Sequence, residues 1–181
     1  DRSLVRLLAA RDRLGELDHT TGPWDYLTDD IVEGPDNVAL ARKMAAETFV
    51  LLQNDGILPL EKDTGIALVG PNADDAEMQW GNYNGIPDNT VTLLEALQER
   101  IPDLVYVRGC NLVESEGMDA KRTRQILDAL KDKDIVVFAG GISPRLEGEE
   151  MDVDLPGFFK GDRVDIELPA VQRQLLAALH E

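Results

Sequence analysis

The sequence predicts an α/β protein, a parallel-sheet α/β sandwich preceded by a helix and an extended linker. Two observations carry this. Three short apolar runs, "IALVG" (Ile66–Gly70), "LVYVRG" (Leu104–Gly109) and "DIVVFAGG" (Asp134–Gly141), have the composition of strands buried on both sides. Stretches with helical spacing alternate with them, and right-handed crossovers turn such an order into a parallel sheet covered on both faces.

The elements follow in order. "SLVRLLAARDRLGEL" places Leu4, Leu7, Leu8 and Leu14 at helical spacing, with Gly15 as its C-cap. "DHTTGPWDYLTDDIVEGPDN" has no periodicity and carries two Gly-Pro pairs, which makes it a linker or extended connection. Its Trp24 and Tyr26 are expected to lie against either this chain or another domain. Residues 1–37 are thus read as a helix and linker, and 38–181 as the α/β domain. From Val38, Ala41, Ala45, Thr48 and Leu52 share one face of a helix that ends before the Asp55-Gly56 turn. In "TLLEALQERI", Thr92 and Glu95 stand in capping-box register, with Leu94, Leu97 and Ile101 on one face. "DAKRTRQILDALK" turns Ile126, Leu127 and Leu130 inward. "LPAVQRQLLAALHE" opens at Pro169, a first-turn position, with Val171, Leu175 and Leu179 on one face.

Composition narrows the function. Net charge is −17, and the 18 Lys and Arg form no basic stripe, which argues against a nucleic-acid or anionic-membrane surface. No apolar run approaches the ~20 residues of a membrane helix. Cys110 is the single cysteine, so there is no internal disulfide and no Cys/His zinc spacing, and Cys110 reads as a small buried residue. The two histidines, His19 and His180, are expected on the surface.

In parallel sheets, ligands bind beyond the carboxyl ends of the strands. Two long loops lie there: "GPNADDAEMQWGNYNGIPDNT" after the first strand, and "GGISPRLEGEEMDVDLPGFFKGDRVDIE" after the third. Neither matches a glycine-rich nucleotide fingerprint, and both put carboxylates where phosphates would go. The D-x-D-x-D-G calcium spacing is missing too, so no metal is expected, although a calcium- or partner-binding module stays the alternative outside enzymes. The second loop gathers Glu147, Glu149, Glu150, Asp152 and Asp154. Crowding and partial burial raise a carboxyl's pKa, so one member could serve as a proton donor. A solvated acidic loop without a role has the same composition.

Four segments carry a family resemblance. "ARKMAAETFVLLQNDGILPL" resembles the opening of the second domain of glycoside hydrolase family 3 enzymes. "GPNADDAEMQWGNYNGIP" resembles the G-P-x-A…GNYxG stretch of that family's β-xylosidase branch. "ISPRLEGEEMDVDLPGFFKGDRVDIELPAVQRQLL" resembles its acid/base loop, a Glu-Gly pair followed by a Asp-Arg pair and an LP-x-x-Q helix, and "RLLAARDRLGELD" is similar to the exit helix of the preceding barrel.

The resemblance implies part of an (α/β)6 sandwich domain in a retaining exo-glycosidase acting on terminal β-linked sugars, either β-xylosidase-like or a β-glucosidase or α-arabinofuranosidase. It implies no cofactor, an oligosaccharide or aryl glycoside substrate, and a nucleophilic Asp on a barrel domain outside this chain, so that the chain alone is inactive. Glu147, of the Glu-Gly pair, takes the acid/base role by pattern. The insertion before Asp162-Arg163 leaves Glu149 and Glu150 as competitors. Trp80 and Tyr83 are candidates for the sugar's rim or for anchoring their own loop. Arg145 would offset the acidic cluster, Arg163 with Asp162 would tie the loop down through an ion pair or help position it, and Arg145 and Arg163 are also candidates for contact with the substrate. A flexible loop is expected, self-association stays open, and a periplasmic or secreted location is the expectation for this branch.

Overall fold

A computed structural model describes residues 1–17, 22 and 24–180. These fall into two compact units, Asp1–Asn54 and Asp55–Glu181. His19 and part of the linker expected over 18–37 lie outside the described residues.

The first unit holds α1 (Arg2–Arg13) and α2 (Pro35–Glu47). Gly15 sits at φ 78, the left-handed conformation of a residue that ends a helix. Pro35 opens α2 in the first turn, where its missing N–H breaks no bond, so the helix starts earlier than Val38. It also ends earlier than expected. Thr48 gives both its N–H (3.1 Å) and its Oγ1 (2.7 Å) to the Ala45 carbonyl, and the apolar run Phe49–Leu52 continues outside the helix. Leu52, read from its spacing as part of the helix face, is 92% exposed.

The second unit is built on three parallel strands, β1 (Ile66–Val69), β2 (Val105–Val107) and β3 (Ile135–Phe138), in the order β2-β1-β3. Ala67 lies opposite both Val105 and Val136, and Val69 opposite Val107 and Phe138. The central strand explains the run "IALV": its four residues are all buried because both faces are covered. On one face Ala67 and Val69 pack with Ile126 and Leu130 of α4 (Ala120–Leu130) and with Val171 and Leu175 of α5 (Ala170–His180). On the other, Leu68 packs with Leu94 of α3 (Leu93–Gln98) and with Ala73. Each buried Val, Leu or Ile among them contributes roughly 1.5–3 kcal/mol through removal from water. The right-handed rule demands this split, because the step from β1 to β2 runs opposite to the step from β2 to β3.

Local signals agree with packing at most helix ends. Thr92 Oγ1 accepts from Glu95 N–H at 3.2 Å while the Glu95 carboxylate accepts from Thr92 N–H at 2.7 Å, the complete capping box. The Pro169 carbonyl accepts from Arg173 N–H at 3.1 Å and so starts α5. Leu127 departs from expectation: it is exposed on α4 while Ile126 and Leu130 are buried. Ile101 lies beyond the end of α3.

The loop after β3 contains a small antiparallel sheet that no periodicity announces: β4 (Asp154–Leu155), β5 (Phe158–Phe159) and β6 (Asp162–Arg163). Under it lies a separate core of Phe158, Leu146 and Val113, edged by Leu112, Val153 and Leu155. The acidic stretch is therefore anchored on a small core of its own, with its acidic residues exposed.

Candidate functional site

The two long loops at the carboxyl ends of β1 and β3 meet. At their roots, Asn72 N–H donates to the Ala139 carbonyl (3.1 Å) and Asn72 Nδ2 to that of Ile142 (3.3 Å). Gln172, fully buried on α5, holds the start of the second loop: its Oε1 accepts from Gly141 N–H at 2.8 Å, and its Nε2 donates to the carbonyls of Gly141 and Leu112, both at 2.7 Å. Sequence reasoning met Gln172 only as the last residue of the LP-x-x-Q pattern and gave it no role. The available signal was a polar residue at position 172 on the apolar face of α5 that also carries Leu175 and Leu179.

Further out, Arg145 reaches back to the first loop. Its guanidinium grips the Asp75 carboxylate with two nitrogens and donates to Glu77 Oε2 at 3.1 Å. This corrects the expectation that Arg145 offsets the acidic cluster beside it in sequence. The hydrogen-bonded Arg145 side chain holds the Asp75 carboxyl below its ordinary value, against an opposing push from partial burial.

At the tip, Ser143 is buried and its carbonyl accepts from Leu146 N–H (2.9 Å) and Glu147 N–H (3.3 Å). This turn sends Leu146 into the small core and leaves Glu147 exposed. The Glu147 carbonyl accepts from Asn82 Nδ2 at 3.0 Å, and the next N–H, of Gly148, donates to Gly161 O at 3.0 Å. Among the described residues, the Glu147 carboxylate takes part in no ion pair. Glu149 differs: its carboxylate accepts from the Tyr83 hydroxyl. That bond pushes the Tyr83 phenol above its ordinary value, since a phenolate would face a carboxylate. Glu150, Asp152 and Asp154 are exposed, so partial burial, one of the two expected means of tuning a proton donor, is not supplied by this chain. Among the described residues no group of three or more His, Cys, Asp or Glu is placed to hold a metal ion.

Arg163 is committed to its own loop. It donates to Gly157 O (2.7 Å), Asp165 Oδ1 (2.7 Å) and the Glu167 carbonyl, and its guanidinium stacks on the Phe158 ring at 4.7 Å. Its ion-pair partner is Asp165, not the expected Asp162, which lies in β6 opposite Phe159. Trp80 is half-buried and donates from Nε1 to Thr90 Oγ1 at 2.9 Å, a contact within its own loop. Tyr83 is 85% exposed. The structure thus brings Asn82, Tyr83, Glu147 and Glu149 together and leaves Trp80 and Arg163 in contacts of their own.

Beside this junction, between the ends of β1 and β3, lies a crevice of about 360 Å³ walled by Met78, Val91, Leu93, Ala139, Gly140 and Asn72. The sheet order reverses there, the usual place for a ligand in such folds. Asn72 Oδ1 is buried without a hydrogen-bond partner, so a hydroxyl or water donor would satisfy it.

Residues 49–181 match the glycosyl hydrolase family 3 C-terminal domain. A xylan 1,4-β-xylosidase of Xylanibacter ruminicola is 40% identical over 122 residues, which is 66% of this chain and 14% of that protein. The exo-1,4-β-xylosidase xlnD of Aspergillus oryzae is 32% identical over 183 residues, covering 99% of this chain and 21% of the relative. The solved family 3 exo-β-xylosidase XlnD, in complex with a xylobiose aziridine activity-based probe, superposes with a TM-score of 0.81 at 31% identity. That superposition covers 98% of this chain and 22% of the other. A β-glucosidase of Listeria innocua in complex with glucose gives 0.75 at 26% identity, over 97% of this chain and 22% of the other. The chain thus spans only 14–22% of the length of these relatives. With its parallel sheet, its loop pair and these matches together, the chain belongs to glycosyl hydrolase family 3.

Proposed function

We propose that this chain supplies the general acid/base of a retaining, exo-acting β-glycosidase of the β-xylosidase type, and that Glu147 is that residue. The observation that carries this reading is the exposed, unpaired Glu147 carboxylate on a backbone fixed by the two loops at the carboxyl ends of the strands. The relatives support the substrate class, since two are xylosidases and XlnD is bound to a xylobiose-derived probe.

In the proposed reaction Glu147 protonates the glycosidic oxygen as the bond to the anomeric carbon breaks. A nucleophilic carboxylate forms the covalent glycosyl-enzyme. Glu147 then takes a proton from the water that hydrolyses it. Retention needs the two carboxyl groups roughly 5–5.5 Å apart. We assign the nucleophile to a barrel domain of a longer polypeptide. That domain and the bound sugar would also desolvate Glu147, which this chain leaves in water. Residues 1–37 would form the exit from the barrel and the linker. Exposed apolar residues such as Phe49, Val50 and Leu52 fit a chain that packs against further protein. A β-glucosidase is the second reading, favoured by the likeness to the Listeria innocua enzyme.

The test uses the longer polypeptide with its barrel. Acid/base assistance is worth about 10²–10⁴ in rate. Glu147→Ala should lose that factor in kcat/KM on glycosides with poor leaving groups, while Glu149→Ala and Glu150→Ala keep theirs. Full turnover by Glu147→Ala, with loss in Glu149→Ala or Glu150→Ala, overturns the assignment. The 181-residue chain alone should hydrolyse no aryl β-xyloside.

A further inference from the structure

We propose that Asn82 and Tyr83 are positioning residues for this reaction, Asn82 by fixing the backbone of Glu147 and Tyr83 by occupying Glu149. The inference rests on the reading of Glu147 as the acid/base.

Glu147 stands on irregular backbone, without a helix or strand ladder to hold it. A catalytic group displaced by 1 Å can cost about 10²-fold in rate, so something must replace the ladder. Three bonds do so: Glu147 N–H to Ser143 O, Gly148 N–H to Gly161 O, and Asn82 Nδ2 to Glu147 O. Only the third comes from outside the loop. Its donor seats directly on the chain, because a Cβ on Gly148 would lie 2.9 Å from Asn82 Nδ2 and 2.8 Å from Met151 Sδ. The glycine of the Glu-Gly pair therefore has a steric reason, which is that it lets the Asn82 amide reach the Glu147 carbonyl.

Tyr83 supplies the second part. It adopts φ 58, a left-handed conformation that is sterically unfavourable for a residue with a Cβ. Its exposure means that ring burial does not offset this cost. The conformation carries its hydroxyl to Glu149, the carboxylate two positions from Glu147. With that bond in place Glu149 is an occupied acceptor, and Glu147 is left as the free carboxyl at the tip. Without it, Glu149 would stand beside Glu147 as a second carboxylate with no side-chain partner.

The experiment compares Asn82→Ala, Asn82→Asp, Tyr83→Phe and Glu147→Ala in the longer polypeptide on two substrates. Xylobiose has a poor leaving group that needs protonation; dinitrophenyl β-xyloside has one that needs none. Asn82→Ala should lower kcat/KM for xylobiose by about 10–100-fold, with little change for the dinitrophenyl substrate and in melting temperature. Asn82→Asp, which sets an acceptor against the Glu147 carbonyl, should fall further. Tyr83→Phe should also lower kcat/KM for xylobiose, by a smaller factor, again with little change for the dinitrophenyl substrate. Equal losses on both substrates with a lowered melting temperature, or unchanged behaviour of the Asn82 and Tyr83 variants, overturn the proposal. If this occurs while Glu147→Ala shows the leaving-group-dependent loss, the acid/base reading stands and only the positioning role falls. Undiminished xylobiose turnover in Glu147→Ala overturns both.

Discussion

Gln172 holds Gly141 by both halves of its side-chain amide, accepting from the Gly141 N–H at 2.8 Å and donating to the Gly141 carbonyl at 2.7 Å. The same Nε2 also donates to Leu112 O, so one buried side chain joins the loop after β3 to the loop after β2. Gln172→Ala would leave one N–H and two carbonyls, on half-buried residues, without these partners. Each such group costs about 1–3 kcal/mol, with partial relief from relaxation. The expected loss is about 3 kcal/mol or more in chemical unfolding, and Gln172→Glu, which loses both donors, should rank close to it. A loss below about 1 kcal/mol would show that the amide is not what holds the loop root.

The Arg145–Asp75 pair makes stability depend on acid. Because Arg145 lowers the Asp75 carboxyl from its ordinary value, the pair's contribution is present above the unfolded carboxylate value of about 3.9 and is lost as pH falls through the lower folded value. Arg145 is about half exposed, which limits the contribution to roughly 0.5–1 kcal/mol. Unfolding titrations of the parent and Arg145→Gln should therefore differ at pH 7 and converge toward pH 2. A difference that stays constant with pH would contradict the ionic origin.

Burial pushes the Cys110 thiol up to about 11, with a smaller opposing pull from Arg108. Only the thiolate alkylates. At pH 8 the folded chain should react with iodoacetamide about 10²-fold more slowly than the unfolded chain, whose thiol has an ordinary value near 8.5. Comparable rates would mean that Cys110 is not buried.

Phe158 is 2% exposed and centres the small core beneath β4–β6. Removing a buried Phe side chain costs about 3–5 kcal/mol in a main core. Here the cost should fall on the loop, because Phe158 lies outside the clusters built around β1. Tryptic cleavage after Lys160 and Arg163 should accelerate in Phe158→Ala, while sites in α4 stay protected. Uniform acceleration along the chain would tie the acidic loop to the main core.

What the sequence made legible was the part governed by local pattern. β1 and β3 follow from four-residue apolar runs, and α3 from the Thr92–Glu95 capping box, because burial on both sheet faces and N-terminal capping leave their mark within a few residues. The crossing contacts left no such mark. Arg145 meets Asp75 across 70 positions, and Asn82 meets Glu147 across 65. Strands of two residues such as β4–β6 are too short for a period, so Phe158 gave no sign that it would be buried. Glu147 itself was named from a family pattern, not from any periodicity, and its fixed backbone emerged only when the two loops were seen together.

The most direct measurement of the central claim is the product formed by Glu147→Ala in the longer polypeptide with an activated aryl β-xyloside and added azide. A small anion fills the place of the missing carboxylate and needs no general base. The account predicts that azide restores turnover and yields the β-xylosyl azide, the retained anomer. No acceleration by azide, or an α-configured product, would contradict it.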